Sequence, residues 1–542
     1  MEKRAFLAIA LSILVLVIYQ EWVTRYYGVP PPPSKGPIKQ ETEKPAPPQP
    51  TAPAPVTPSA PAVQTAKAAK DIKVETDNYV AIFTTQGARL KSFKFKKYRS
   101  SVDENSPPFD IVSLPPNVPL PLGVRWQSPT PYDDAGLLYA IQGGDLNLTG
   151  NSKGTLLFQG KASDGLVITK KLVFSGSTYP VDLEVSAKAA DGTSPVPEIL
   201  LTEKSDQSVP NPDAKFEGFI ARVDNKVKRD LPAQVDKGDE LSGDVSWAGF
   251  GHTYFFFALL PENGAAHKLS IHHVGPALIA AISAAQVQAG EANRYTLFIG
   301  PKELDILKSL GKGLEDCINI GYFGFISIPL LYVLHFSHGF TQSYGIDIIL
   351  LTFLIKILMA PLTHKSYVSM KKMQKLQPQM EKLKEKFTND KEKLNKEIME
   401  LYRRNGVNPL GGCLPMVLQF PVFIGLYNAL STPIELRHAP FLWIKDLSRP
   451  DWQSLPFAVP SWWPSALPSG IPVLTILMGA SMFLQQWMTP TAGDPNQRKM
   501  MMMMPLMFTF MFVSFPAGLT VYWLVNNVLT IGQQYWISRS DR

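Results

Sequence analysis

The sequence predicts a membrane protein with six transmembrane α-helices, a β-sandwich between the first and the second, and a helical hairpin between the second and the third. Three observations predict it. Six apolar runs occur, at Ala5–Tyr19, Ile346–Leu362, Leu414–Leu430, Ile471–Met488, Met500–Phe515 and Ala517–Ile537, and such runs suit a hydrocarbon core of about 30 Å. Residues 71–300 alternate apolar and polar with period two, as half-buried strands do. Residues 364–409 hold twelve Lys and Arg against six Asp and Glu, which places that segment in the cytoplasm.

The first element, residues 1–27, reads as an uncleaved anchor. Lys3 and Arg4 precede the apolar run, and the run ends in Gln20-Glu21-Trp22 with no small-x-small cleavage site. This puts the N-terminus in the cytoplasm. Residues 28–70 form a linker: 13 prolines lie between Val29 and Val63, a composition that buries no core and favours extended chain. Residues 71–301 are the sandwich, outside the cytoplasm. In YPVDLEVSA, Val181, Leu183 and Val185 share one face, while Asp182, Glu184 and Ser186 share the other. Turn signals recur at Gly87, Asp164-Gly165, Asp191-Gly192 and Asn263-Gly264.

Nothing in the sandwich looks catalytic. His272 and His273 are adjacent, so a strand sends them to opposite faces and they do not share a metal. No G-x-S-x-G, H-E-x-x-H or P-loop occurs anywhere in the 542 residues. The reading is therefore no enzyme, no cofactor and no metal. Cys317 and Cys413 are far apart and read as apolar packing residues. A net charge of +7 is too mild for a dedicated nucleic-acid binder and implies no nucleic-acid specificity.

Residues 302–344 read as amphipathic or interfacial helices. The stretch Ile318–Phe336 is apolar but broken by Gly and Pro. The topology argues against its crossing: with the first anchor leading out and the second run leading back, an even number of crossings must lie between. His335 and His338, at i and i+3, read as interfacial rather than metal-binding. The remaining divisions are span two at 345–363, the cytoplasmic coiled-coil hairpin at 364–410, span three at 411–431, an outer loop at 432–470, span four at 471–489, a cytoplasmic loop at 490–499, span five at 500–515, span six at 516–537 and a cytoplasmic tail at 538–542. The run Met500–Phe515 has 16 residues and Leu414–Leu430 has 17, short of the ~20 a full crossing takes, which implies a locally thinned bilayer. In the hairpin, Met370, Met373, Met380, Leu383 and Phe387 form one stripe, with Leu376 between, and Leu394, Ile398 and Leu401 the other; Asn389 with Glu392 suggests a capping box.

Polar side chains inside the spans mark the candidate site. Lys356 lies within span two, where a cation at the bilayer centre costs roughly 2.5–3.5 kcal/mol. Thr352 and Thr363 share its helix face. Gln419 lies in span three. Tyr522, Asn526, Thr530 and Gln533 fall near one face of span six, with Asn527 and Gln534 beside them. Asp347 is two and a half turns from Lys356, too far to pair. A lysine without an ion partner keeps its charge either in a wet cavity lined by Thr, Gln, Asn and Tyr or by snorkelling to the cytoplasmic interface, where His364 and Lys365 lie about two turns away.

Four stretches, LLTFLIKILMAPLTHKSYVSMKKMQKLQP, NPLGGCLPMVLQFPVFIGLYNAL, ELRHAPFLWIKDLS and FPAGLTVYWLVNNVLTIGQQ, carry a resemblance to the YidC/Oxa family of membrane protein insertases, in the form with a large periplasmic domain. The front half, with its anchor, Pro-rich linker, β-sandwich and LFIGPKE, is similar too. The resemblance implies a periplasmic β-supersandwich, an interfacial helix at Ile318–Phe336, and a five-helix insertase core around a hydrophilic groove. That groove opens to the cytoplasm and to lipid and is closed outside. The groove residues it implies are Lys356, Thr352, Thr363, Gln419, Tyr522, Trp523, Asn526, Asn527, Thr530 and Gln533. The implied activity is insertion and chaperoning of membrane proteins in the bacterial inner membrane. The implied partners are nascent membrane proteins, lipids, the Sec translocon (SecYEG, SecDF), and a ribosome or signal-recognition-particle receptor docking on the hairpin. Bacterial members usually carry arginine where this chain has Lys356, and the exchange keeps the charge but not the planar fork. Two competing readings are an anion-solute transporter using Lys356, which would show internal repeats, and an anchored periplasmic carbohydrate-binding receptor.

Overall fold

The structure is a computed structural model, and it describes residues 68–103, 105–126, 132–162, 165–188, 195–204, 216–229, 241–262, 267–284, 292–321, 323–387, 390–407, 414–454, 470–489 and 495–540. The predicted N-terminal span, the linker up to residue 67, Asp164, Cys413 and the turns at Asp191-Gly192 and Asn263-Gly264 lie outside the described residues.

The β-domain is built from three sheets of nine, six and five strands, all paired antiparallel among the described residues except Val74–Glu75, which run parallel to Leu146–Asn147. The period-two reading holds at strand level. Val181, Leu183 and Val185 are buried, while Asp182 is exposed. Aromatic rings join the five-stranded to the nine-stranded sheet: Phe95 stacks on Phe255 at 4.6 Å and Phe83 meets Phe174 edge-on at 5.7 Å. Such pairs contribute about 0.5–1.5 kcal/mol each beyond their buried area.

One polar cluster sits inside this apolar core. The Asp134 carboxylate is fully buried and accepts from Lys170 Nζ (2.6 Å), Arg89 Nη2 (3.0 Å), the Tyr139 hydroxyl (2.9 Å) and the Val124 amide (3.0 Å). Lys170 also donates to the carbonyls of Gly87 and Leu122. Burial pulls the Lys170 ammonium below its ordinary pKa, against the opposing pull of Asp134. Sequence pattern did not foretell this cluster, because Lys170 occupies a position of the strand Val167–Ser175 that alternation alone assigns to an apolar residue. Elsewhere in the domain, His272 lies against Arg125 (3.0 Å) and His273 is exposed, so the two do point apart.

Nine helices follow among the described residues: α1 Leu304–Ser309, α2 Gly324–Thr341, α3 Tyr344–Lys375, α4 Gln377–Lys386, α5 Lys391–Arg404, α6 Leu414–Ser431, α7 Val473–Met488, α8 Pro495–Phe512 and α9 Ala517–Ser540. Of these described helices, α3 alone is both long and apolar enough to cross a membrane by itself. It differs from the expected boundary. Span two and the first arm of the hairpin are one continuous 32-residue helix, since nothing between Leu362 and Lys375 stops it. The break comes at Leu376, where Pro378 starts α4. The second hairpin helix is capped by Asp390, whose carboxylate accepts from the Lys393 amide (3.0 Å). This cap lies one residue beyond the expected Asn389, which is outside the described residues. The hairpin core is smaller than the expected stripes: Leu376, Met380, Tyr402 and Val407 are buried, with Met373, Ile398 and Leu401 against them.

The helical bundle has its own core, in which Ile348, Leu351, Leu426, Met478, Phe512, Leu519 and Tyr522 meet. Opposite that core, Ile357, Leu358, Trp487, Leu506, Phe510 and Trp536 are strongly exposed. An apolar exterior of this extent suits a hydrocarbon surrounding. The outward face of helix α2 is apolar rather than polar. Phe325, Tyr332, Phe336 and Phe340 are exposed, while Ser327, Leu334 and Ser337 are buried against the bundle.

Candidate functional site

The end of the bundle nearest the β-domain is sealed by the segment Thr432–Trp452. Leu436, Ile444 and Leu447 enter the bundle core. The amides of Ala517 and Gly518 at the start of α9 donate to the carbonyls of Arg449 (2.7 Å) and Leu447 (2.8 Å), so this segment satisfies donors that the helix start leaves open. The Asp451 carboxylate accepts from the Leu474 amide at the start of α7 (2.6 Å). Phe441 lies against Gly345, where a Cβ would come within 2.0 Å of its ring, so only glycine admits this contact. The same segment reaches upward: Ile434 joins the β-domain core, and the Arg437 guanidinium lies over the rings of Phe109 and Phe255.

Beyond this seal polar side chains of α3, α6 and α9 come together in pairs. Lys356 Nζ donates to Thr530 Oγ1 at 2.6 Å, and the Thr530 hydroxyl in turn donates to the Asn526 carbonyl. Lys356 is half-buried, and no carboxylate pairs with it among the described residues. An ammonium has three N–H donors, so the contact with Thr530 leaves capacity for an incoming anion. Gln419 Nε2 on α6 donates to the buried Tyr522 hydroxyl on α9 (2.5 Å). Gln533 Nε2 donates to Thr363 Oγ1 on α3 (3.2 Å). Tyr522 to Gln533 is eleven residues, about 16 Å along a helix, or about half of a hydrocarbon core.

The remaining candidates divide. Asn526 lies on the same α9 face and is half-buried. Thr352 is buried, and its hydroxyl donates to the Ile348 carbonyl within its own helix (2.6 Å), so it packs behind the row rather than lining it. Trp523 is half-buried in a ring cluster with Phe423, Phe508 and Phe512. Asn527 is buried and turns to the other side of α9, donating to Ser481 on α7 (2.9 Å). Gln534 does the same toward Thr489. Helix α9 thus carries two polar faces, one toward α3 and α6 and one toward α7.

Asp347 has partners that its own helix did not reveal. Its fully buried carboxylate lies 2.9 Å from His338 Nδ1 and accepts from the Thr341 hydroxyl (2.6 Å). His335 pairs with Glu435 (3.1 Å), which raises the histidine's pKa. The two histidines therefore serve separate carboxylates. The i, i+3 spacing was visible in the sequence; what it lacked was the distant carboxylates.

Two family models match successive parts of the chain. The family described as YidC periplasmic domain matches residues 71–333, and the family described as 60Kd inner membrane protein matches residues 336–542. A protein of Syntrophus aciditrophicus described as membrane protein insertase YidC is 40% identical, over 99% of this chain and 100% of the relative. Its counterpart in Citrifermentans bemidjiense is also 40% identical, over 100% of this chain and 99% of that one. A solved structure described as an active YidC insertase with the first transmembrane domain resolved is 17% identical, with a TM-score of 0.38 over 87% of this chain and 93% of that one. With identity at this level along its whole length, the chain belongs to the YidC membrane protein insertases, a non-enzymatic family of inner-membrane proteins with a periplasmic domain.

Proposed function

We propose that the chain inserts membrane proteins by drawing the polar segment of a client into an opening between α3, α6 and α9, where Lys356 receives it. The observation that carries this reading is the Lys356–Thr530 contact, a cation held inside an apolar helix with donor capacity to spare. The row from Gln419–Tyr522 to Gln533–Thr363 offers successive hydrogen-bonding partners along the path. The reading has six spans, both termini cytoplasmic, the β-domain periplasmic and the α4–α5 hairpin cytoplasmic. The seal at residues 432–452 supports an opening that is closed on the periplasmic side. The client's apolar segment then moves into lipid past the exposed faces of α6 and α8, where Phe420, Met503, Met507 and Met511 present adaptable apolar surface.

Reconstitution of the full chain in liposomes tests this function. The expected result is protease-protected insertion of a single-span client without flux of anionic solutes. Solute flux without insertion would establish the transporter reading instead.

In the same reading the hairpin recruits clients or their carriers, among them the Sec translocon and a ribosome or its targeting receptor. Its support is an exposed basic surface that includes Lys372, Lys375, Lys382, Lys386, Lys393 and Lys396. Replacing Gln377–Arg404 by a flexible linker is expected to leave the bundle folded and to slow delivery several-fold at low ionic strength, where exposed charges act furthest. Equal insertion of every client by the shortened protein would reduce the hairpin to a topology signal.

A further inference from the structure

The helix that forms one wall of the opening is held by an element outside it. Among the described residues helix α6 packs chiefly against α2 and meets α3 and α9 at fewer points. The α2–α6 contact is close and specific. A Cβ on Gly425 would lie 2.7 Å from the Ile326 side chain, and the buried Ser327 hydroxyl donates to the Gly425 carbonyl at 2.9 Å. Asn428 adds a bond to the Ile320 carbonyl just before α2 (2.8 Å). The other end of α2 is fixed to α3. His338 and Thr341 both engage the buried Asp347 carboxylate, and the His338 ring stacks on Tyr344 at 3.7 Å.

We infer that α2 is a strut that sets the separation of α3 and α6, with Gly425 and Ser327 as the positioning residues at one end and Asp347 and His338 at the other. The inference rests on the reading of the opening as the client path. The geometry gives the reason. With few direct contacts to α3, helix α6 takes much of its position from α2, alongside its Gln419–Tyr522 and Phe423–Trp523 contacts with α9. A buried carboxylate loses much when its donors go, so the Asp347 end is stiff. A glycine contact loses its fit with one added methyl group, so the Gly425 end tolerates no slack. Lys356 touches none of these four residues, so they act on it only by placing α6 and its Gln419.

Pulsed spin-label distances in the full reconstituted chain test this directly. Labels replace the lipid-facing Ile357 on α3 and Phe420 on α6, with Cys413 changed to serine. The expected result is a narrow distance distribution that broadens and shifts by a few ångströms in Gly425→Val and in Asp347→Ala, with insertion slowed about five- to tenfold. Asp347→Asn keeps an oxygen for Thr341 and is expected to restore most of both readouts. If Asp347→Ala fails to fold, Ser327→Ala provides the milder step, with a smaller shift in the same direction. An unchanged distance in folded Gly425→Val and Asp347→Ala protein overturns the strut, whatever insertion does. A shifted distance with unchanged insertion overturns the link between this spacing and function, and with it the client path, while Lys356→Ala reports on that path independently of the spacing.

Discussion

Lys356→Ala is expected to slow insertion of clients with acidic translocated tails by tenfold or more, and of clients with neutral tails about two- to threefold. A carboxylate about 6 Å from the ammonium, at an effective dielectric constant near 20, gains about 3 kcal/mol, and about 1.4 kcal/mol already corresponds to tenfold. Thr530 is a neutral partner and does not satisfy the charge, so the lysine has no competing anion to give up. Lys356→Glu reverses the attraction and is expected to be the most damaging change. Lys356→Arg retains the charge and keeps its proton in drier surroundings, so it is expected to be tolerated. A water-soluble amine-reactive probe should label Lys356 from the hairpin side and not from the β-domain side. Full activity of Lys356→Ala on acidic-tailed clients would sink the mechanism, because a lysine that merely snorkels contributes no receptor and its removal relieves an insertion cost.

The largest expected effect on stability lies far from that site. Asp134→Ala leaves Lys170 and Arg89 buried around a lost anion, and breaking a buried ionic cluster from one side costs about 3–5 kcal/mol. The β-domain transition in a melt of the full chain is expected to fall accordingly. Insertion at permissive temperature is expected to stay within about twofold, because distant sites with no shared partners act nearly independently and the polar residues of α3, α6 and α9 lie elsewhere. Deleting residues 71–287 carries the same logic further and is expected to leave insertion largely intact. The cost it adds is exposure of Ile434, which now sits in the β-domain core, so an Ile434→Ser change should improve the behaviour of the deletion protein. Loss of insertion in Asp134→Ala with the helical bundle still folded would contradict this division of labour.

The parts of this molecule that were legible in the sequence are those with a local signature. Alternation placed Val181, Leu183 and Val185 inward because a strand's side chains have period two. The 3.6-residue period put Tyr522, Asn526, Thr530 and Gln533 on one face of α9, and the structure pairs Thr530 with Lys356 and Gln533 with Thr363. It also put Asn527 beside that face, but period alone does not say which neighbour stands there; Ser481 on α7 does. Asp347 looked solitary because its partners, His338 and Thr341, belong to the preceding helix across the turn at Gln342. The Asp134 cluster was illegible for a similar reason, since it joins residues up to 81 positions apart, from Arg89 to Lys170. Span two and the first hairpin arm share one helix because a rise in polarity marks the edge of a span, whereas a helix ends where its backbone is interrupted.

Helices α3, α6 and α8 each carry an internal proline, at Pro361, Pro421 and Pro505. A proline nitrogen has no hydrogen, so the carbonyls one turn earlier, those of Ile357, Val417 and Met501, have no amide of that residue to accept from. Oxygen atoms of the main chain are thereby offered within helices whose side chains read as grease. They belong to apolar residues, and replacing those residues would leave them in place. An alanine scan would pass over them without a signal, since every substituted residue still brings its own carbonyl. On the proposed path, the hydrogen-bonding groups open to a polar chain would therefore extend past any inventory of hydrophilic side chains, and exchanging the prolines is the genetic handle that reaches them.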